Sequence, residues 1–286
     1  MTSFAIVLVI VAAFIHATWN FLAKRAGGGT AFVWLFATLS AIIYAPITIA
    51  LIVIQRPHIG FPEFLFILGS AILHLMYFLL LQRGYNTGDL SLVYPLARGT
   101  GPMLSTVSAI VFFGERPTPI ALGGAILIAI CVFILSGDIR QLQKMGTGST
   151  VIYGLLTGTI IAAYTLWDKR AVSTLLIPPL LLDYCSTLGR VALLAPFALR
   201  SWDKVRTEWS THRLEAIGVA FLNPLSYILV LTALVFTPVS YIAPSREISV
   251  LVGAFMGTHL LRESDAPRRL FAAAGMMLGM IAIAID

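Results

Sequence analysis

Charge is scarce in this chain. Asp, Glu, Lys and Arg together make up 11% of its 286 residues. A soluble domain could not keep its surface wet with so few charges, and a mean hydropathy of +0.92 places the chain among polytopic membrane proteins. Cysteine is nearly absent. Cys131 and Cys185 fall in separate apolar runs and read as small packing residues, not as a disulfide or metal pair. Zinc-protease, nucleophile-elbow and phosphate-loop patterns are missing, as is any carboxylate-rich cluster, so no cofactor, metal or catalytic role is expected. The net charge of +6 sits in short loops without interleaved aromatics, which argues against nucleic acid. Met1-Thr-Ser-Phe brings neither a basic n-region nor a small-residue cleavage site, so no removable signal peptide is expected. No loop is long enough to fold as a catalytic domain.

What the chain has in quantity is apolar run, with hydrophobic residues at 58%. Polar punctuation divides it into ten expected spans, at about 4–23, 31–54, 62–82, 90–113, 118–136, 150–167, 178–199, 214–235, 239–261 and 268–285. The longest breaks are Gly137–Ser149 and Arg200–Arg213. The first carries Asp138, Arg140 and Lys144 and splits the chain into residues 1–140 and 150–286, five spans each.

The two halves repeat. Ala17…Lys24-Arg25-Ala26 returns 145 residues later as Ala162…Lys169-Arg170-Ala171. His74, Tyr77 and Phe78 answer to Asn223, Ser226 and Tyr227 at an offset of 149, as do Ser91 and Pro95 to Ser240 and Pro244. Arg98 and Glu115 answer to Arg246 and Glu263 at 148, each Arg seventeen residues before its Glu. Seventeen helical residues rise roughly 25 Å, close to the thickness of a bilayer's hydrocarbon core. Because each half holds an odd number of spans, the second must enter the membrane inverted. The expected fold is therefore all-α, with ten transmembrane helices as two inverted five-helix repeats.

An arginine inside a span is costly unless it meets water or a partner, so Arg98 and Arg246 are the first candidates for binding a carboxylate or phosphate. The competing reading is structural: capping carbonyls loosened at Pro95 and Pro244, or pairing with an acid such as Glu247. Glu115 and Glu263 stand at membrane exits before prolines, where a carboxylate caps the following helix; a gate latch to a loop arginine is the alternative. His16, Trp19 and Asn20 share a helix face, as do Tyr164 and Trp167 with Asp168 beside them. His74, Tyr77 and Phe78 form a third stripe, answered by Asn223 and Tyr227. Polar residues on such stripes avoid lipid, so these are candidates to line a cavity, with Tyr94 beside Pro95. His74 is a candidate proton carrier, with a hydrogen-bonded structural histidine as the alternative. Asp183 and Arg190, two turns apart on one helix, read as parts of a structural network. GxxxG spacing at Gly154–Gly158, Gly253–Gly257 and Gly275–Gly279 marks close helix contacts.

The pattern Pro95…Phe113-Gly114-Glu115-Arg116-Pro117…Gly123-Gly124 and its counterpart Pro244…Leu261-Arg262-Glu263…Gly275…Gly279 resembles the EamA-like branch of the drug/metabolite transporter superfamily. His16-Ala17-Thr18-Trp19-Asn20 adds to the resemblance, which covers nearly the whole chain. It implies a central cavity between the halves and a secondary transporter working by alternating access. The small solute expected is an amphipathic metabolite, an amino acid first of all, aromatic ones included, with protons as a candidate coupling ion. An anion or sugar-phosphate exchanger and a multidrug exporter are the alternatives within that class. A membrane-embedded enzyme or a scaffold lies outside it. A monomer in a bacterial inner membrane is expected. The resemblance implies cytoplasmic termini, whereas Lys24, Arg25, Arg200, Lys204 and Arg206 argue by the positive-inside rule for the reverse.

Overall fold

The computed structural model describes residues 1–26, 29–87, 90–136, 148–253 and 266–285. The helices named in order are α1 (Ser3–Arg25), α2 (Thr30–Gln55), α3 (Phe61–Thr87), α4 (Leu90–Phe113), α5 (Pro119–Ser136), α6 (Gly148–Ser173), α7 (Pro179–Arg200), α8 (Trp202–Phe236), α9 (Val239–Ser245) and α10 (Ala266–Ala284). Among the described residues, seven helices are long and apolar enough to cross a membrane, and α5 and α10 contribute shorter apolar stretches. Their packing is inside-out by aqueous standards. On α1, Ala5, Val9, Ala12, Ala13 and Ala17 are buried while Phe4, Val11 and Phe14 point outward. Elsewhere Val53, Phe112 and Phe197 are more than half exposed. Small residues inside bring helices together, and lipid covers the large ones outside. The protein is a multi-pass integral membrane protein.

Three expected boundaries change. The loop expected at 200–213 is helical and merges with the eighth span into the 35-residue α8, bent where His212 leaves helical geometry (φ −125°, ψ 31°). The sixth span runs on past residue 167, so Asp168 and Lys169 belong to α6 and not to a loop. The ninth span is not one continuous helix. After Pro244 the backbone turns at Arg246 and Glu247 and is helical again over residues 248–253. Pro224 inside α8 removes the N–H that would serve the carbonyl of Ala220. Ser40 Oγ of α2 donates to that carbonyl instead (2.8 Å), and Tyr44 OH donates to Phe221 O (2.6 Å). A break in one half is thus satisfied by a helix of the other, as lipid requires.

Most major contacts cross between the halves: α1 on α8, α2 on α7 and α8, α3 on α6 and α7, α4 on α6, and α5 on α10. At the α5–α10 crossing Gly124 and Gly279 face each other. A Cβ on Gly124 would lie 2.6 Å from the Gly279 carbonyl oxygen. Gly124→Val is expected to force the helices apart and cost about 1–3 kcal/mol, read as a lower melting temperature in detergent. A melting curve equal to the parent's would show that this contact does not limit packing.

The bundle has two distinguishable ends. At one, Phe4 stacks on Phe236 with ring centroids 5.8 Å apart, and Lys169 Nζ reaches Thr237 O at 3.1 Å. At the other, Arg25 pairs with Glu215 at 3.5 Å. α1 starts at the first end and α6 finishes there, so these repeat-equivalent helices run in opposite directions.

Candidate functional site

A cavity of about 290 Å³ lies between the halves, at the small end of the ~300–1,000 Å³ usual for ligand pockets. Ala23, Gly29 and Phe32 line its mouth at the end marked by Arg25, and Val9 and Val230 line its floor. Below the floor, Leu8, Ala109, Val172, Leu182, Leu231 and Leu234 form a buried apolar plug. Among the described residues the cavity therefore opens at one end of the bundle and is shut at the other.

The structure brings most of the expected residues to this cavity. From α1 come His16, Trp19 and Asn20, and from α3 His74, Tyr77 and Phe78. Tyr164 of α6, Asn223 and Tyr227 of α8, Arg98 of α4 and Arg246 complete the set. Trp167 is a correction. Three residues along a helix turn the side chain about 60° from Tyr164, which carries Trp167 away from the cavity and onto α3. Its ring stacks on Phe66 at 4.3 Å, its Nε1 donates to Phe66 O (2.8 Å), and Gly69 leaves the space it fills. The side chains of Tyr94 and Pro95, and all of Glu263, lie outside the described residues. Pro244 is buried at the helix break.

The two arginines, equivalent by repeat, differ in surroundings. Arg98 is buried, with Nε 3.5 Å from the Glu247 carboxylate. Its Nη2 donates to Ser249 Oγ (3.1 Å) and to His16 Nε2 (3.2 Å). An arginine can only donate, so His16 accepts at Nε2 and carries its proton on Nδ1. Glu247 and Ser249 occupy the repeat positions of Gly99 and Gly101, so the first half offers Arg246 no matching acid. The Arg246 guanidinium lies over the Tyr227 ring, 5.6 Å from its centroid, with no ion pair or hydrogen bond among the described residues. The expected alternative of pairing with Glu247 therefore falls to Arg98, across the two halves.

An aromatic box adjoins Arg246. His74 stacks on Tyr164 at 4.4 Å, and Tyr227 meets the His74 edge at 5.1 Å. Tyr77 stands edge-on to Tyr164 at 5.8 Å. Beneath the box, Asp168 has no exposed surface. Its Oδ2 accepts from Tyr227 OH (2.5 Å) and His74 Nε2 (3.0 Å). Trp19 presents its ring edge to His16 at 4.9 Å, and its buried Nε1 has no acceptor among the described residues. Asp183 and Arg190, expected to belong to a structural network, also line the cavity. Their charge inside a span was the available signal. Ser249 gave no signal of its own.

Glu115 caps a helix, but not the one expected. Thr118 Oγ1 serves the following helix α5, accepting from Ala121 N at 3.3 Å. The Glu115 carboxylate instead crosses to the other half and accepts from Val239 N and Ser240 N, both at 2.8 Å, at the start of α9. Lys169 Nζ donates to Leu234 O (2.6 Å) and Thr237 O (3.1 Å) at the end of α8. An acid at a helix N-terminus and a cation at a helix C-terminus thus clasp the α8–α9 corner at the closed end.

A scan against family models matches the EamA-like transporter family twice, over residues 3–137 and 148–285. The chain belongs to the EamA-like transporter family. It is accordingly a membrane transporter of the drug/metabolite type. Among solved structures, one crystal structure of a protein 14% identical in sequence superposes with a TM-score of 0.76 over 100% of this chain and 99% of that one, and so shares its fold. A comparison with curated proteins gives no match. Twofold matching of one EamA-like model along the chain accords with paired helices carrying Arg98 and Arg246 in different surroundings.

Proposed function

We propose that this protein is a secondary transporter for a small amphipathic metabolite bearing a carboxylate, an amino acid first of all, moved by alternating access. The observation that carries the reading is Arg246. Its guanidinium faces the cavity and makes no ion pair among the described residues, the nearby Glu247 being engaged by Arg98, and an aromatic box beside it suits an apolar side chain. Asp183, the acidic residue on the same wall, is the candidate partner for an ammonium group. A doubly charged phosphate would call on Arg98 as well, and Glu247 already meets that charge, which disfavours the sugar-phosphate reading.

Asymmetry between equivalent seams supports alternating access. Gly101 of α4 and Gly158 of α6 pack closely, Gly101 against Ile161 and Gly158 against Thr100. Their repeat counterparts, Ser249 and Ala13, instead line the open cavity. Exchanging the two arrangements would close the present mouth and open the other end.

Proteoliposome uptake of labelled amino acids, monocarboxylates and organic cations tests the reading. L-Phenylalanine is expected to move, and Arg246→Gln to slow it about 10- to 100-fold, the worth of hydrogen bonds to a charged group. Transport of organic cations alone, or an unaltered rate in the variant, would refute the assignment of Arg246.

A further inference from the structure

Asp168 is a carboxylate with no exposed surface in a membrane helix, and no lysine or arginine pairs with it among the described residues. Its Oδ1 has no hydrogen-bond partner there either. A buried anion so placed is costly, and Tyr227 OH and His74 Nε2 relieve it only at Oδ2. His74 reaches the cavity and can carry a positive charge. We propose that the His74–Asp168 pair is a proton-binding site of the transporter, and that its proton travels in the same direction as the carboxylate substrate.

The proton balance is simple. With His74 neutral and Asp168 ionised, the pair holds one negative charge. A proton arriving from the cavity adds to His74 Nδ1 or to Asp168 Oδ1, and the pair becomes neutral without any other bond changing. His74 Nε2 keeps its own proton toward Asp168 in either form, since Oδ2 only accepts there. The groups facing the pair are Tyr77 of α3, Tyr164 of α6, Tyr227 of α8 and Arg246, with Asp183 and Arg190 of α7 on the same cavity wall. Lys169, the next residue, is turned to the closed end and held by Leu234 O and Thr237 O.

Arg246 sets the direction of coupling. Its positive field reaches the pair through Tyr227, which it overlies and whose hydroxyl binds Asp168. A carboxylate seated on Arg246 cancels that field, so substrate binding favours proton binding, and by linkage the proton favours the substrate. This direction rests on the substrate reading above; the proton site itself does not.

Two measurements separate them. Infrared difference spectra of the protein in nanodiscs, taken over a pH series without substrate, read the protonated-carboxyl band or the imidazolium ring bands directly. Expected is a titrating signal that Asp168→Asn abolishes and that His74→Gln moves to another pH. A titration unchanged in both variants overturns the site. His74→Gln keeps the test decisive should Asp168→Asn fail to run as a single species on size exclusion. For the coupling, proteoliposomes with the membrane potential clamped by valinomycin are given a pH step and labelled L-phenylalanine. Expected is accumulation on the alkaline side, about tenfold per pH unit for one proton per substrate, and none in Asp168→Asn. Accumulation on the acidic side, or accumulation retained in Asp168→Asn, overturns it. If the parent moves no L-phenylalanine, the substrate reading and the coupling built on it fall together, and the infrared result still decides the proton site.

Discussion

Arg98→Gln is expected to destabilise the protein by about 3–5 kcal/mol, the cost of leaving one member of a buried ion pair alone. Arg98 and Glu247 are both buried, and their contact joins α4 of one half to the broken helix of the other. Removing the guanidinium leaves a carboxylate where lipid and apolar side chains surround the bundle. It also removes the donor to Ser249 Oγ and His16 Nε2. In a chain of this size the melting temperature should fall by roughly 10 °C. Arg98→Gln combined with Glu247→Gln should recover much of the loss, because the stranded charge is gone and two amides can bond. Arg246→Gln, which strands no acid, should melt within about 1 kcal/mol of the parent. Thermal melts of the three variants in one detergent check this. Equal melting of Arg98→Gln and Arg246→Gln would mean that the two arginines are equivalent after all.

Glu115→Ala is expected to loosen the closed end. Two hydrogen bonds of 2.8 Å from the first N–H groups of α9 meet one carboxylate. Glu115 is half-buried, so screening trims their worth to roughly 2 kcal/mol, equivalent to about a thirtyfold shift in an equilibrium. The apolar plug beneath includes Ala109, which has no exposed surface. A cysteine placed at Ala109, with Cys131 and Cys185 replaced, should react slowly with an impermeant maleimide in the parent. It should react faster by about that factor when Glu115 is also Ala. Unchanged labelling would make the Glu115 contact a static cap and not a latch.

Helical periodicity put His16 with Trp19 and Asn20, and His74 with Tyr77 and Phe78, on single faces, and those faces do line the cavity. The same periodicity offered Trp167 beside Tyr164, and could not tell that about 60° of rotation turns one toward Phe66 and the other toward the cavity. Asp168 is legible as a charge beside an aromatic pair, but the hydropathy edge at residue 167 places it in a loop. Only the packing of α3 and α8 against α6 reveals that Tyr227 and His74 converge on it.

By itself the sequence determined the membrane class, the duplication and the two in-span arginines, because each of these is a property of composition or of spacing along the chain. Tertiary structure decided which arginine is spoken for and which helix Glu115 caps. The Glu247 that holds Arg98 is 149 residues away, and the N–H groups that Glu115 binds are 124 and 125 residues away. Pairings at such distances depend on how the halves dock, and periodicity carries no record of that.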